Sequence, residues 1–107
     1  MAVVSKNLRI DKGTDFSADL VVRDSTGSTR DLSSASAVAK LRKSPNSSTA
    51  YSFTTSISGG TITLTMTDTV TATLSSGINT YDVVITESGL KEKVYEGTIT
   101  VYDTTSV

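Results

Sequence analysis

Thr61-Ile62-Thr63-Leu64-Thr65-Met66-Thr67 is the stretch on which the architecture turns. Side chains two apart on an extended chain share a face, so Ile62, Leu64 and Met66 form an apolar face and the threonines a polar one. A helix would scatter both sets around its axis. The same alternation appears upstream, where Phe16, Ala18, Leu20 and Val22 are interleaved with Ser17, Asp19 and Arg23. It returns downstream in Tyr81, Val83 and Ile85, and again in Gly97, Ile99 and Val101. Roughly a third of the chain is Ser or Thr, and both suit this pattern, Thr on exposed strand faces and Ser in turns.

Turn signals cut the remaining sequence into short pieces. Strands are predicted over 7–11, 15–23, 35–43, 61–67, 79–86 and 93–103, with another marked by Tyr51, Phe53, Thr55 and Ile57. Between them lie Lys12-Gly13-Thr14, Asp24 to Ser28, Ser44-Pro45-Asn46-Ser47-Ser48, Ser58-Gly59-Gly60 and Glu87-Ser88-Gly89-Leu90. In the third strand Ala35, Ala37, Ala39 and Leu41 line one face, and their small size predicts a close neighbour. Residues 68–76 are the one candidate for a helical turn, with Asp68 as its cap and Gly77 as its end. Seven short antiparallel strands predict a two-sheet β-sandwich, with a small barrel as the alternative. The whole chain, 1–107, reads as one domain with short arms at 1–5 and 104–107.

Composition narrows the function. Ten basic and eleven acidic side chains give a net charge of −1, so the basic excess of a nucleic-acid binder is missing. The densest basic cluster is Lys40-Leu41-Arg42-Lys43, where Lys40 and Arg42 share the outward face of a strand. With no cysteine, the chain fits assembly in a reducing cytoplasm, and no apolar stretch is long enough for a signal peptide or a membrane span. Neither is there a histidine, so catalysis would have to rest on carboxylates, hydroxyls and lysines.

None of these forms a recognisable constellation. Asp15 and Asp19 share a strand face away from Phe16 and Ala18, with no sign of a cleft between facing carboxylates. Asp11 to Asp15 is too short for a calcium loop and lies between strands, so it reads as a turn. No phosphate loop and no nucleophile paired with a histidine base occurs. No cofactor, metal or small-molecule substrate is expected. Among the rings, Tyr81 follows the Gly77 turn and opens a strand, a place where sandwiches use a tyrosine hydroxyl to pin backbone. Tyr95 and Tyr102 fall on opposite faces of the last strand, so at least one is expected at the surface or in an interface.

The order of motifs carries a resemblance. Ile10 to Phe16, Asp24 to Gly27, Asp31-Leu32-Ser33 leading into Ala37 to Arg42, Thr61 to Leu64, Gly77 through Tyr81-Asp82-Val83, and Val94 to Val101 follow one another over nearly the whole chain. In that order they resemble the immunoglobulin-like domain of tailed-bacteriophage structural proteins, notably baseplate upper proteins and related tail components. The resemblance implies an immunoglobulin-like sandwich used as a building block in a virion, in baseplate, tail, neck or capsid surface, with no active site. It implies partners among other virion proteins and copies of the same chain. Gly77, Tyr81 and Gly97 are then the expected structural positions, and Lys40, Arg42, Tyr95 and Tyr102 the candidate interface. A carbohydrate-binding or adhesion sandwich is the alternative, set back by the absence of Trp and the few rings.

Overall fold

The structure, a computed structural model, describes residues 3–24, 26–44 and 46–106. Met1, Ala2 and Val107 of the two expected arms, and Ser25 and Pro45 of two expected turns, lie outside the described residues. Among the described residues nine strands and one helical turn follow in order: β1 (Val4–Ser5), β2 (Leu8–Asp11), β3 (Phe16–Val21), β4 (Ala35–Arg42), β5 (Ala50–Ser52), β6 (Thr54–Ser58), β7 (Thr61–Met66), α1 (Asp68–Thr71), β8 (Gly77–Glu87) and β9 (Leu90–Tyr102).

They form two stacked sheets. One runs β1-β9-β8-β4-β5, with β2 also on β9, and the other runs β3-β7-β6. The expected all-antiparallel arrangement is corrected here: β1 and β2 both run parallel to β9, with Val4 opposite Tyr95 and Leu8 opposite Ile99. Every other pairing among the described strands is antiparallel. Parallel pairing needs a long connection, and here that connection is nearly the entire chain.

The period-2 pattern builds the core. Leu20 of β3 and Ile62 and Leu64 of β7 face Leu41, Val83, Ile85, Ile99 and Val101 of the larger sheet, and all are essentially inaccessible. Phe16 and Phe53 close one side with ring centroids 5.6 Å apart. Of the predicted alanine face, Ala39 is buried while Ala35 and Ala37 are half-buried at the sandwich edge.

Two local geometries depart from the simple pattern. The segment read as one strand from Tyr51 to Ile57 is two: β5 pairs β4, and β6 pairs β7. Phe53 is the crossing residue, its N–H donating to the Ala39 carbonyl at 3.0 Å. In β9 the register slips opposite Val83 and Val84, because Val94 is an extra residue in that strand. The bulge turns both Val94 and Tyr95 inward.

The turns follow their residues. Ser88 and Gly89, at φ 54° and 80°, make the mirror-image two-residue turn that joins β8 to β9. Gly59, at φ 60°, leads the turn from β6 to β7. The helical turn starts one residue earlier than expected. Thr67 is its N-cap without a side-chain bond, and the capping carboxylate comes from afar, with the Asp68 N–H donating to Asp15 Oδ1 at 2.8 Å.

Candidate functional site

Of the positions singled out in the sequence, Lys40, Arg42, Tyr81 and Gly97 line one groove on the larger sheet, while Gly77, Tyr95 and Tyr102 lie apart from it. Gly97, Tyr81, Lys6 and Asn7 meet on the edge of the larger sheet, where the chain passes from β1 to β2. Tyr81 lies opposite Gly97 across the β8–β9 ladder. Its ring is buried, and its hydroxyl donates to the Lys6 carbonyl at 2.6 Å. The Lys6 N–H donates to the Glu96 carbonyl at 2.9 Å, and the Thr98 N–H to Asn7 Oδ1 at 3.2 Å. A β-carbon at residue 97 would overlap the Lys6 carbonyl, so this close approach requires glycine. Gly77 holds φ 106° where the chain enters β8, a conformation that a side chain disfavours. Burial, and secondarily the neighbouring Tyr95, raise the Tyr81 phenol to about 12.

Tyr95 is placed differently from the expectation that put it among interface residues. It is 6% exposed, and its hydroxyl donates to the Val21 carbonyl at 2.5 Å, tying the two sheets together. Burial raises its phenol pKa as well. The bulge at Val94 leaves this ring on the core side, so Tyr102 alone of the pair is open, at 44% exposure. The Arg9 guanidinium carbon lies 4.1 Å from the Tyr102 ring centroid, and Arg9 also pairs with Asp11 at 3.0 Å.

Lys40 and Arg42 lie on the outer face of the larger sheet. Register sets Lys40 beside Asp82 and Asp82 beside Glu96, with Arg42, Thr80 and Thr98 in the next row. These rows floor a shallow groove that Ser5, Asn7 and Lys93 border. Arg42 also donates to the Ser47 carbonyl at 2.7 Å, and Lys93 pairs with Glu96 at 3.2 Å. Tyr102 shares this face but stands six residues along β9 from Glu96, about 20 Å at strand rise. The predicted basic pair is thus together on one face, while Tyr102 is at its far end.

The carboxylates act as ties within the fold. Asp24 accepts from the Thr26 hydroxyl at 2.6 Å and from the Thr26 and Ser28 amides, and these bonds lower its pKa. Asp31 is lowered by the Ser33 amide. Arg30 reaches both strands of the β8–β9 hairpin, at 3.1 Å to Glu87 and 3.0 Å to Glu92. This holds Glu87 below the usual carboxylate range and pushes Arg30 up, chiefly through the Glu92 bond. Among the described residues no group of three or more carboxylates, histidines or cysteines could hold a metal ion. No helix there is long and apolar enough to cross a membrane.

Three structural residues escaped the sequence reading. Arg30 stands in a connection without periodicity, and nothing local marks it. Thr71 is fully buried, its hydroxyl donating to the Thr14 carbonyl at 2.8 Å and accepting from the Gly13 N–H at 3.0 Å. Asn79 is 2% exposed, donating to the Ser75 and Gly77 carbonyls. Asn79 did carry a signal, since it shares parity with Tyr81 and Val83 and a polar residue on a core face must find partners.

No known family model and no curated protein sequence matches the chain. Among solved structures, it is similar to the N-terminal domain of phage TP901-1 ORF48. The likeness has a TM-score of 0.56 at 14% identity, covering 91% of this chain and 85% of that one. The fold is that of a phage protein domain. The family resemblance in the sequence therefore holds at the level of fold, with a domain of phage origin.

Proposed function

We propose that the chain is a non-enzymatic structural protein of a tailed-phage virion, an immunoglobulin-like sandwich that acts by docking. The observation that carries this reading is the match over nine-tenths of the chain to the fold of a phage domain. The chemistry agrees with it. The sequence holds no His or Cys, and Asp15, Asp24, Asp31 and Glu87 are engaged in capping, turns and ion pairing.

On this reading, neighbouring virion proteins contact the outer face of the larger sheet around Lys40 and Arg42, with Tyr102 at its far end. Residues 104–106 extend that contact. Residues 3–5 do so less, because Val4 and Ser5 are already bonded along β9. The test is quantitative mass spectrometry of gradient-purified particles from infected cells. A fixed ratio of this chain to the major structural proteins is expected. Its absence from particles, with abundant chain in the lysate, would overturn the proposal.

A further inference from the structure

The three-stranded sheet ends in β6, and the free side of this strand is built unlike the other edges. Ser58 and Thr61 flank a two-residue turn, so they exchange both backbone bonds, as do Ser56 with Thr63 and Thr54 with Thr65. The amide and carbonyl groups of Thr55 and Ile57 therefore point away from β7. On that side the Phe53 N–H reaches the Ala39 carbonyl, and the Thr55 hydroxyl reaches the Ala37 carbonyl at 2.9 Å. Beyond that corner no described strand pairs with β6.

Proteins commonly guard such an edge with charge, proline or a bulge. Here β2 carries Arg9 and Asp11 and is interrupted from β1 at Lys6 and Asn7, and β3 carries Asp19. β5 is only three residues long. β6, Thr54-Thr55-Ser56-Ile57-Ser58, has no charge and no proline.

We propose that β6 pairs antiparallel with β6 of a second copy about a two-fold axis at Ser56, joining two three-stranded sheets into one of six strands. The sequence of the strand argues for a second copy over an unrelated partner, because its pattern reads alike in both directions. With Ser56 facing its twin, Thr55 lies opposite Ile57 on the inner side and Thr54 opposite Ser58 on the outer side. The exposed, half-buried, exposed, half-buried, exposed order of β6 is thus matched position by position. Thr55 and Ile57 of each copy exchange four backbone bonds, using the groups that face outward. The same register sets the Phe53 crossing of one copy opposite the Gly59 turn of the other, where the chain has already bent away. This pairing goes beyond the virion reading and does not depend on it.

The test is the molar mass of the purified full chain by light scattering at high concentration, beside two variants. Ser56 is exposed, so S56K leaves the monomer fold intact by circular dichroism but sets two ammonium groups face to face. The wild type is expected at twice the 11.2 kDa of one chain, and S56K at one chain mass. S56C supplies the sole cysteine, and facing residues of such a pair lie about 4.5 Å apart at Cα, within disulfide reach. Mild oxidation should cross-link S56C, while S17C on β3 stays uncross-linked. A wild type of one chain mass, or a dimer that S56K leaves unchanged, overturns the proposal and leaves the particle measurement above unaffected.

Discussion

Replacing Gly97 with alanine tests whether the approach of Lys6 to β9 is as tight as its geometry implies. The new methyl would overlap main-chain atoms of Lys6, which cannot rotate away as a side chain can. The segment at Lys6 and Asn7 must lift. Three bonds then go: Tyr81 hydroxyl to the Lys6 carbonyl, Lys6 N–H to the Glu96 carbonyl, and Thr98 N–H to Asn7. At about 0.5–1.5 kcal/mol each, their loss destabilises by about 2–4 kcal/mol. For a domain of this size that lowers Tm by about 10–20 °C. The assay is urea unfolding with native-state hydrogen exchange at Lys6 and Thr98. Tyr81→Phe alone should cost about 1–2 kcal/mol, since it leaves the Lys6 carbonyl without its donor. In the Gly97→Ala background it should cost almost nothing, because the acceptor has already moved. Gly97→Ala within about 0.5 kcal/mol of wild type, or strict additivity of the two changes, would refute the reasoning.

Three further outcomes follow from the same contacts. Thr71→Val keeps the shape but strands the Gly13 N–H and the Thr14 carbonyl, and should cost about 2–3 kcal/mol in urea unfolding; no change would mean that water replaces the hydroxyl. Gly60→Ala drives a β-carbon into the Arg30 carbonyl and the Thr29 methyl, and calorimetry should show a loss of at least about 2 kcal/mol. Stability should also bend at both ends of the pH scale. Tyr81 is raised from 10.0 to about 12, so its contribution is complete below pH 10 and disappears as pH rises towards 12, an effect that Tyr81→Phe removes. Asp24, Asp31 and Glu87 are lowered, so theirs is present above the ordinary carboxylate range and is lost as pH falls through it. Arg30→Ala should flatten the Glu87 share of that acid slope.

Legibility varied with the range of the interaction that decides each feature. Ile62, Leu64 and Met66 announce β7 because one face of that strand is buried along its whole length. Tyr51, Phe53, Thr55 and Ile57 keep the same parity through a change of sheet, and periodicity senses the core, which both sheets share, but not the hydrogen-bond partner. Hence the break at Phe53 was invisible. The parallel pairing of β1 and β2 with β9 joins residues about ninety positions apart, and alternation is identical in parallel and antiparallel strands. Tyr95 shows a subtler limit. Its parity with Ile99 and Val101 already pointed inward, but only the extra residue Val94 shows that the ring stays there. At the docking face, Lys40 and Arg42 were legible because one strand spacing fixes them, whereas their cross-strand neighbours Asp82 and Glu96 depend on registers set by distant turns.

The parallel course of β1 and β2 along β9 has a mechanical consequence. Tension applied between Val4 and Tyr102 pulls these neighbours in opposite directions along their length. The load then falls at right angles on a whole row of hydrogen bonds, which must rupture together and cannot unzip in turn. A chain strung end to end between two anchors would resist as a clamp.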